Sequence, residues 1–514
     1  MQLPESGEQK VPVSLIGYVL VAVFCGTGLL TNWLVTYPMD NDLDEVGWII
    51  ANQSLDRMES LANNSYPFGY PFLLKFIYPV FGGVLPAALV MGTLATTGLV
   101  FMIMIIGYRI YENHVATLGI VIVAGFLLFE SAISEFADAI CAFSLFTGLY
   151  LCIRDGFGIR GYIALGLCIG LAYLFRYHYM SMGVAIAVAS LALGFSFRQL
   201  TIRLAGFSMA TLLVASPQIL FNILDHGSPI SHPYQAYVTG IFLHHEMDFG
   251  AFMETYANWP LSRVLAETPL WVFADHVFDT LDDLLDLPYI ALAIFCIPAA
   301  FILTPQSQRR SLLFLIILAT IYVGLIVLPS RYTFRAMVPV TAISALLIGA
   351  VLVGMIRYIT VRWRWLVIAL VAIPVLYAFT PVEQNSDLIG QKLRRMERNV
   401  SLLAQLDAAG MKSSREVYSE LWNFHPLNDP EFITFHNHGG WMLQDSKYAA
   451  ELPNTLTVDG LDDWERFFRQ FGLRYAVVGK YSSRYREFHK DRLREPWERV
   501  GKYGDYHIVR LNDH

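Results

Sequence analysis

The stretch VPVSLIGYVLVAVFCGTGLLTNWLV, Val11–Val35, has no charged side chain and is long enough to cross a bilayer as one helix. Almost directly after it comes YPMDNDLDEVGWIIANQSLD, Tyr37–Asp56, which carries five carboxylates. The apolar run is too long for the h-region of a signal peptide, and no clear small-x-small cleavage site is visible. A retained transmembrane helix is therefore predicted, followed by a strongly acidic segment at the membrane surface.

The composition of the 514 residues agrees with a membrane protein. Hydrophobic residues make up 55% of the chain and charged residues 15%, whereas charged residues in a soluble domain run near a quarter. The net charge of -7 is mild and argues against a nucleic-acid partner. All five cysteines lie in apolar runs without metal-ligand spacing, and we interpret them as small buried hydrophobes.

Further apolar runs follow along most of the chain, and a length of about twenty residues per span predicts about eleven spans. The predicted spans are Val11–Val35, Leu85–Arg109, Val115–Ser131, Ala137–Ile153, Tyr162–Phe175, Tyr179–Phe197, Leu204–Leu224, Leu287–Thr304, Leu312–Leu328, Ala336–Ile356 and Trp365–Thr380. The pattern predicts a polytopic α-helical membrane protein.

The basic residues of the short loops predict the orientation. One set of loops holds Arg109, Arg154, Arg160, Arg198, Arg203, Arg309, Arg310, Arg357, Arg362 and Arg364, and is predicted to be cytoplasmic. The other set contains a first external loop, residues 37–84, and a second long external loop, residues 225–286. An odd number of spans then places the N-terminus inside and the C-terminus outside.

After Pro381 the composition changes, and this last part of the chain carries more than half of the 36 lysines and arginines. LRYAVVGKY predicts a buried strand, LDDWERFFRQFG a short amphipathic helix, and DYHIVRL an edge or closing strand. The sequence therefore predicts a transmembrane domain over residues 1–380 and a soluble extracytoplasmic α/β domain over residues 381–514.

The acidic segment after the first span offers candidate catalytic residues. Four carboxylates crowd into six positions, at Asp40, Asp42, Asp44 and Glu45. The apolar spacing after Asp44 predicts a helix along the membrane surface, and one carboxylate at its start would serve as a cap. The rest of the cluster suits a general base or a cation site, with Asp40 and Asp42 as weak metal candidates.

At this point the sequence resembles the GT-C superfamily of membrane glycosyltransferases. DEVGWIIANQSLD and YPFGYPFLLKFIYPVFGG resemble that superfamily's first external loop, with Trp48 in place of a tyrosine and Phe68 in place of a second proline. SEFADAICAFSLFTGLYL resembles its second acidic element, and GLAYLFRYHYM and PSRYTFRAMVP resemble later elements in the same order. The nearest branch is the bacterial protein-mannosyltransferase and aminoarabinose-transferase type.

The resemblance implies transfer of a monosaccharide from a polyprenyl-phosphate donor to a hydroxyl of a glycan, lipid or protein. The reaction would proceed with inversion at the outer face of a bacterial inner membrane. It implies Asp44 as the general base, with Glu45 orienting it or binding the acceptor. Candidates for the donor phosphate are Arg331 and, more weakly, Arg335, Arg176 and Lys75. Candidates for a second acidic residue or substrate contact are Glu135, Asp138, Tyr66 and His178.

Several alternatives stay open at the level of sequence. The arginines could anchor the helices to lipid headgroups, and His178 could be a plain interfacial residue. The ten acidic residues of the second external loop suit a solvated face or a docking surface for a basic acceptor. Lys75 is displaced from the lysine of the aminoarabinose branch, so aminoarabinose is not assigned. No cofactor is certain, and a divalent cation is possible. A transporter, flippase or ligase of lipid-linked saccharides is the alternative function.

Overall fold

The computed structural model of the protein describes most of the apolar part of the chain and parts of the C-terminal region. The described residues are 13–32, 67–81, 84–132, 137–226, 287–327, 334–354, 397–419, 435–436, 460–479 and 493–512, with isolated residues between them. The first external loop before Pro67, most of the second external loop, and residues 355–393 lie outside this part.

The apolar part is helical throughout its described residues. Its helices are α1 (Val13–Thr31), α2 (Gly69–Phe81), α3 (Val84–Tyr111), α4 (His114–Leu127), the single turn α5 (Phe129–Ala132), α6 (Asp138–Arg154), α7 (Ile159–Phe175), α8 (Met180–Leu191), α9 (Phe197–His226), α10 (Pro288–Leu303), α11 (Arg309–Val327) and α12 (Val338–Gly354). Every predicted span from Val11–Val35 to Ala336–Ile356 coincides with one of these helices. The last one, Trp365–Thr380, lies outside the described residues, so the count of eleven stays a prediction.

Three stretches of these helices are long and apolar enough to cross a membrane by length and composition, namely Pro86–Tyr111, Phe197–Leu224 and Gln306–Leu325. Six others are shorter apolar helices. Local signals explain some helix starts. Asn113 caps α4 by accepting hydrogen bonds from Val115 N and Ala116 N, and Pro288 occupies the first turn of α10.

Small residues let α7 approach its neighbours closely. A Cβ added at Gly166 would collide with the Phe207 carbonyl of α9, and one added at Gly170 would lie 2.7 Å from the Thr211 carbonyl. Thr211 Oγ1 donates to the Gly166 carbonyl at 3.1 Å. Two glycines four positions apart form the small-xxx-small pattern by which membrane helices pack. Helix α7 runs parallel to α9 and packs antiparallel to α6.

These three helices have chemically different ends. Arg154, Arg160 and Arg198 lie at one end of α6, α7 and α9, which we call the basic end. Asp138, at the start of α6, and Arg176, directly after α7, lie at the other end, which we call the site end. Within GLAYLFRYHYM, the 3₁₀ turn Tyr177–Tyr179 joins α7 to α8 at the site end.

The C-terminal region contains a five-stranded sheet. Its strands are β1 (Val417–Ser419), β2 (Phe435–His436), β3 (Tyr475–Gly479), β4 (Trp497–Tyr503) and β5 (Tyr506–Leu511), in the order β2-β1-β3-β5-β4. Strands β1, β2 and β3 are parallel to their neighbours in this group, whereas β5 is antiparallel to both β3 and β4. Helix α13 comprises residues 397–408, and α14 (Leu461–Phe471) buries Trp464 and Phe468.

Three predictions for this region are tested by the structure. The buried strand of LRYAVVGKY and the amphipathic helix of LDDWERFFRQFG are confirmed as β3 and α14. DYHIVRL, predicted as an edge or closing strand, is confirmed as the strand β5, but among the described residues it lies between β3 and β4 and not at an edge. WERVGKY carries polar residues at most positions, and this explains why its strand was not predicted. The predicted domain boundary after Pro381 lies outside the described residues.

Candidate functional site

A buried ion pair joins α6 to the end of α7. Arg176 Nε donates to Asp138 Oδ2 at 3.2 Å, and Arg176 Nη2 lies 3.1 Å from the same oxygen. The Asp138 side chain is 3% exposed and the Arg176 side chain is 8% exposed. Withdrawing a carboxylate and a guanidinium from water is costly unless the charges are paired. Ionisable side chains in a membrane domain usually mark function for the same reason.

The local sequence explains how these two residues meet. Helix α7 ends where Arg176 adopts an extended backbone, with φ −151° and ψ 121°. Between the antiparallel helices, Ser144 Oγ donates to the Cys168 carbonyl at 2.9 Å, and Cys141 Sγ donates to the Ala172 carbonyl at 3.4 Å. These bonds fix the register of the two helices so that the start of α6 lies beside the end of α7.

His178 and Tyr179 complete the surroundings of Asp138. His178 Nε2 lies 3.5 Å from Asp138 Oδ1, and its side chain is 25% exposed. Tyr179 is fully buried and its hydroxyl donates to the Asp138 backbone carbonyl at 3.3 Å. The acidic residue is thus held on its backbone side by Tyr179, while its carboxylate faces a guanidinium and an imidazole.

A polar network lies next to this pair, at the site end of α9. Gln218 Oε1 accepts a hydrogen bond from the Phe68 backbone N–H at 2.9 Å. Its Nε2 donates to the Tyr177 hydroxyl at 3.0 Å and to Asn222 Oδ1 at 2.8 Å. Asn222 Nδ2 in turn donates to the Pro229 carbonyl at 3.0 Å. The network therefore connects Phe68, directly before α2, with the turn after Arg176 and the start of the second external loop.

A third polar contact fixes the end of α1. Asn32 Nδ2 lies 2.8 Å from Thr93 Oγ1 and 3.1 Å from the Ala132 carbonyl, and Thr93 Oγ1 donates to that carbonyl at 2.7 Å. Asn32 comes shortly before the acidic cluster of the first external loop, and Ala132 comes shortly before Asp138. The contact therefore holds the end of α1 against α3 and α5.

The structure brings together three of the candidate residues, Asp138, Arg176 and His178. The other candidates lie outside the described residues or have side chains that are not described. The first group comprises Asp40, Asp42, Asp44, Glu45, Tyr66, Glu135 and Arg331. The second group is Lys75, whose backbone belongs to α2, and Arg335, in the 3₁₀ turn Phe334–Met337. That turn is fixed by the Tyr322 hydroxyl, which donates to the Ala336 carbonyl at 3.1 Å.

A metal site is not formed by the described residues alone, because no three of their His, Cys, Asp or Glu side chains come together. Asp40 and Asp42, the weak metal candidates, lie outside that part of the chain.

The fold of the described part of the chain is similar to that of solved structures of ArnT. The crystal structure of ArnT from Cupriavidus metallidurans bound to undecaprenyl phosphate aligns with a TM-score of 0.59 and 12% identity, over 96% of this chain and 97% of that one. The apo structure of the same protein aligns with a TM-score of 0.59 and 14% identity, over 96% and 98% of the two chains. The sequence matches no protein-family model and no curated protein.

Sequence reasoning missed Gln218, Asn222 and Asn32. All three are polar amides inside or at the end of predicted apolar spans, and all are 5% exposed or less. A buried amide in a membrane helix needs hydrogen-bond partners, so its presence in an apolar run is a usable signal for a polar contact between helices. The sequence gives that signal, but it does not tell which segments the amide joins.

Proposed function

We propose that the protein is a glycosyltransferase that moves a monosaccharide from a polyprenyl-phosphate donor to a hydroxyl acceptor. The observation that supports this best is the buried Asp138–Arg176 pair at the site end of a GT-C fold. A guanidinium fixed there suits a lipid phosphate, and the ArnT structure that shares the fold was solved with undecaprenyl phosphate. Any hydroxyl of a glycan, lipid or protein fits this chemistry.

The proposed reaction takes its residue roles from the resemblance of the first external loop to the GT-C superfamily. Asp44 takes the proton of the acceptor hydroxyl, whose oxygen attacks the anomeric carbon of the donor sugar. The bond from that carbon to the phosphate oxygen breaks, the configuration inverts, and the polyprenyl phosphate leaves. Glu45 orients Asp44 or contacts the acceptor. A positioned base contributes roughly 100-fold or more to such a step.

Arginine side chains stabilise the charge that develops on the leaving phosphate. In this proposal Asp138 orients the Arg176 guanidinium before the donor arrives, so that little reorganisation is needed during the reaction. Arg331 is the first candidate for direct contact with the phosphate, with Arg335 and Lys75 as further candidates. We further propose that His178, which lies beside Asp138, and Tyr66 contact the donor sugar at the edge of its site.

The orientation of the chain is part of the proposal. The arginines at the basic end of α6, α7 and α9 favour the cytoplasm. The site end then faces the outer side of a bacterial inner membrane, and residues 381–514 form a soluble domain on that side. The donor's lipid tail can stay in the bilayer while its phosphate and sugar reach the site.

Product analysis tests this proposal. Purified protein is incubated with polyprenyl-phosphate-sugar and with polyprenyl-diphosphate-saccharide from bacterial membranes, together with membrane acceptors. We expect free polyprenyl monophosphate to accumulate from the first donor. Release of polyprenyl diphosphate from the second donor instead would indicate a ligase. Release of neither, with movement of the intact donor between leaflets of a vesicle, would indicate a flippase.

A further inference from the structure

Both polar atoms of the Gln218 side chain form hydrogen bonds with residues close to the candidate site. The side chain is 2% exposed, its carbonyl oxygen accepts from Phe68 N–H, and its amide nitrogen donates to Tyr177 and Asn222. An uncharged amide is well suited to this place because it both accepts and donates, whereas a hydroxyl or a carboxylate cannot supply both donors. Burial makes each lost partner expensive.

The preceding residues explain how α9 presents this side chain. Pro217 has no N–H, so it cannot bond to the Leu213 carbonyl in the usual helical way. The Ser216 hydroxyl takes over by donating to that carbonyl at 2.8 Å. The helix therefore continues through Pro217, and Gln218 lies level with the turn that follows α7.

Phe68 belongs to YPFGYP, the segment of the first external loop that leads into α2. This segment is fastened at two points. Gly69 packs against the last turn of α7 so tightly that a Cβ would collide with the Leu174 carbonyl, and Phe68 N–H is held by Gln218. Phe68 stands where the resembling motif has a second proline, which would have no N–H to offer. In this chain the backbone of the segment thus has a donor, and α9 supplies its acceptor.

The second partner of Gln218, Tyr177, lies directly between Arg176 and His178. One amide thus joins Phe68, directly before α2, to the turn that follows Arg176. We infer that Gln218 is a positioning residue that fastens the start of α2 to this turn and so holds the turn beside the Asp138–Arg176 pair. The inference rests on the proposed function for its catalytic consequence, but the fastening itself is measurable without any reaction.

The test combines hydrogen exchange with kinetics on the full-length protein in detergent. Gln218→Met keeps the length of the side chain but removes its polar atoms, and Gln218→Glu keeps an acceptor for Phe68. Gln199→Met is the matched control, because Gln199 lies at the basic end of α9 and also accepts from a backbone N–H, that of Ser196 at 3.3 Å. Melting temperature is measured for each variant.

In Gln218→Met, we expect amide exchange in the peptide containing Phe68 to rise at least tenfold and kcat/KM for sugar transfer to fall at least tenfold. In Gln218→Glu, exchange at Phe68 should stay within threefold of wild type, because an acceptor for its N–H remains, whereas the bonds donated to Tyr177 and Asn222 are lost. Gln199→Met should change neither quantity by more than threefold. A mutation that merely loosened α9 would affect the two methionine variants alike.

Unchanged exchange at Phe68 in folded Gln218→Met would overturn the inference, as would normal transfer despite a tenfold rise in exchange. If Gln218→Met does not fold, Gln218→Glu decides, because a folded glutamate variant that exposes Phe68 contradicts the fastening. A wild-type protein that transfers no sugar would refute the proposed function, while the exchange data would still show whether Gln218 holds the start of α2.

Discussion

Asp138 and Arg176 are both buried, so each needs the charge of the other. Breaking a buried ion pair by removing one partner typically costs about 3–5 kcal/mol, because the remaining charge is left uncompensated. Replacing both partners by neutral groups of similar shape costs much less. This asymmetry distinguishes a true pair from two residues that happen to lie close together.

The pair can be tested with a double-mutant cycle. Asp138→Asn and Arg176→Gln should each lower the melting temperature, and the double variant should lose less than the sum of the two. The stability data are measured by thermal unfolding in detergent. Additive losses would mean that the two side chains do not depend on each other, whatever their distance.

The same cycle has a catalytic arm. If Asp138 orients Arg176 for the donor phosphate, Arg176→Gln and the double variant should both be poor enzymes, even though the double variant regains stability. Transfer rates are compared at equal amounts of folded protein. Recovery of normal transfer in the double variant would make the pair purely structural.

Arg331, in PSRYTFR, is the strongest phosphate candidate from the sequence. Arg331→Ala should weaken donor binding or turnover at least tenfold, because a hydrogen bond to a charged group is worth roughly 1.5–3 kcal/mol. Binding of a labelled polyprenyl phosphate and the transfer rate are both measured. If neither changes, Arg331 anchors the helix to headgroups and the phosphate must be held by other residues, with Arg176 first among them.

Among the elements, the long helices were predictable because each of them follows a single apolar run, whereas α2 lies in a segment predicted as an external loop. The predicted spans from Val11–Val35 to Ala336–Ile356 all coincide with helices, since a run without charges can satisfy its backbone in lipid only as a helix. The strands were harder. DYHIVRL was not recognised as an inner strand because the polar sequence of its neighbour β4 gives no strand signal. Strand pairing depends on distant residues rather than on local alternation.

Close contacts between helices depend on small residues such as glycine, which do not stand out within an apolar run. Gly166→Ala should destabilise the protein, because its Cβ would meet the Phe207 carbonyl of α9, and such overpacking typically costs about 1–3 kcal/mol. Gly324→Ala, in α11, is the control, since its Cβ would meet nothing within 4 Å. Melting temperatures in detergent should fall for the first variant and stay unchanged or rise slightly for the second. Equal behaviour of the two would contradict the close packing of α7 on α9.

At the scale of the whole molecule, the sequence predicted the charged residues of the candidate site but not the buried amides that surround them. Asp138, Arg176 and His178 were candidates through the resembling motifs SEFADAICAFSLFTGLYL and GLAYLFRYHYM, and the fold brings them together. Gln218, Asn222 and Asn32 carry no charge and have partners distant in the sequence, so a pattern of neighbouring residues could not reveal what they join.

The separation of basic and site ends makes a prediction for the complete chain. If the arginines of the basic end lie in the cytoplasm and the span count is odd, the C-terminus lies outside. A reporter that is active only outside the cytoplasm, fused after His514, should be active. A second reporter inserted after Gly156, in the turn between α6 and α7 at the basic end, should be inactive. Activity with the opposite pattern would reverse the orientation.

The central claim is that this fold transfers a sugar from a polyprenyl phosphate by means of a base in the first external loop. Asp44→Asn tests it most directly, because asparagine caps a helix about as well as aspartate but cannot take the acceptor's proton. Release of free polyprenyl monophosphate is measured for wild type and for Asp44→Asn, together with donor binding and melting temperature. We predict that release falls by about 100-fold or more while binding and stability stay near wild type. Near-normal release by a folded Asp44→Asn protein would contradict this account.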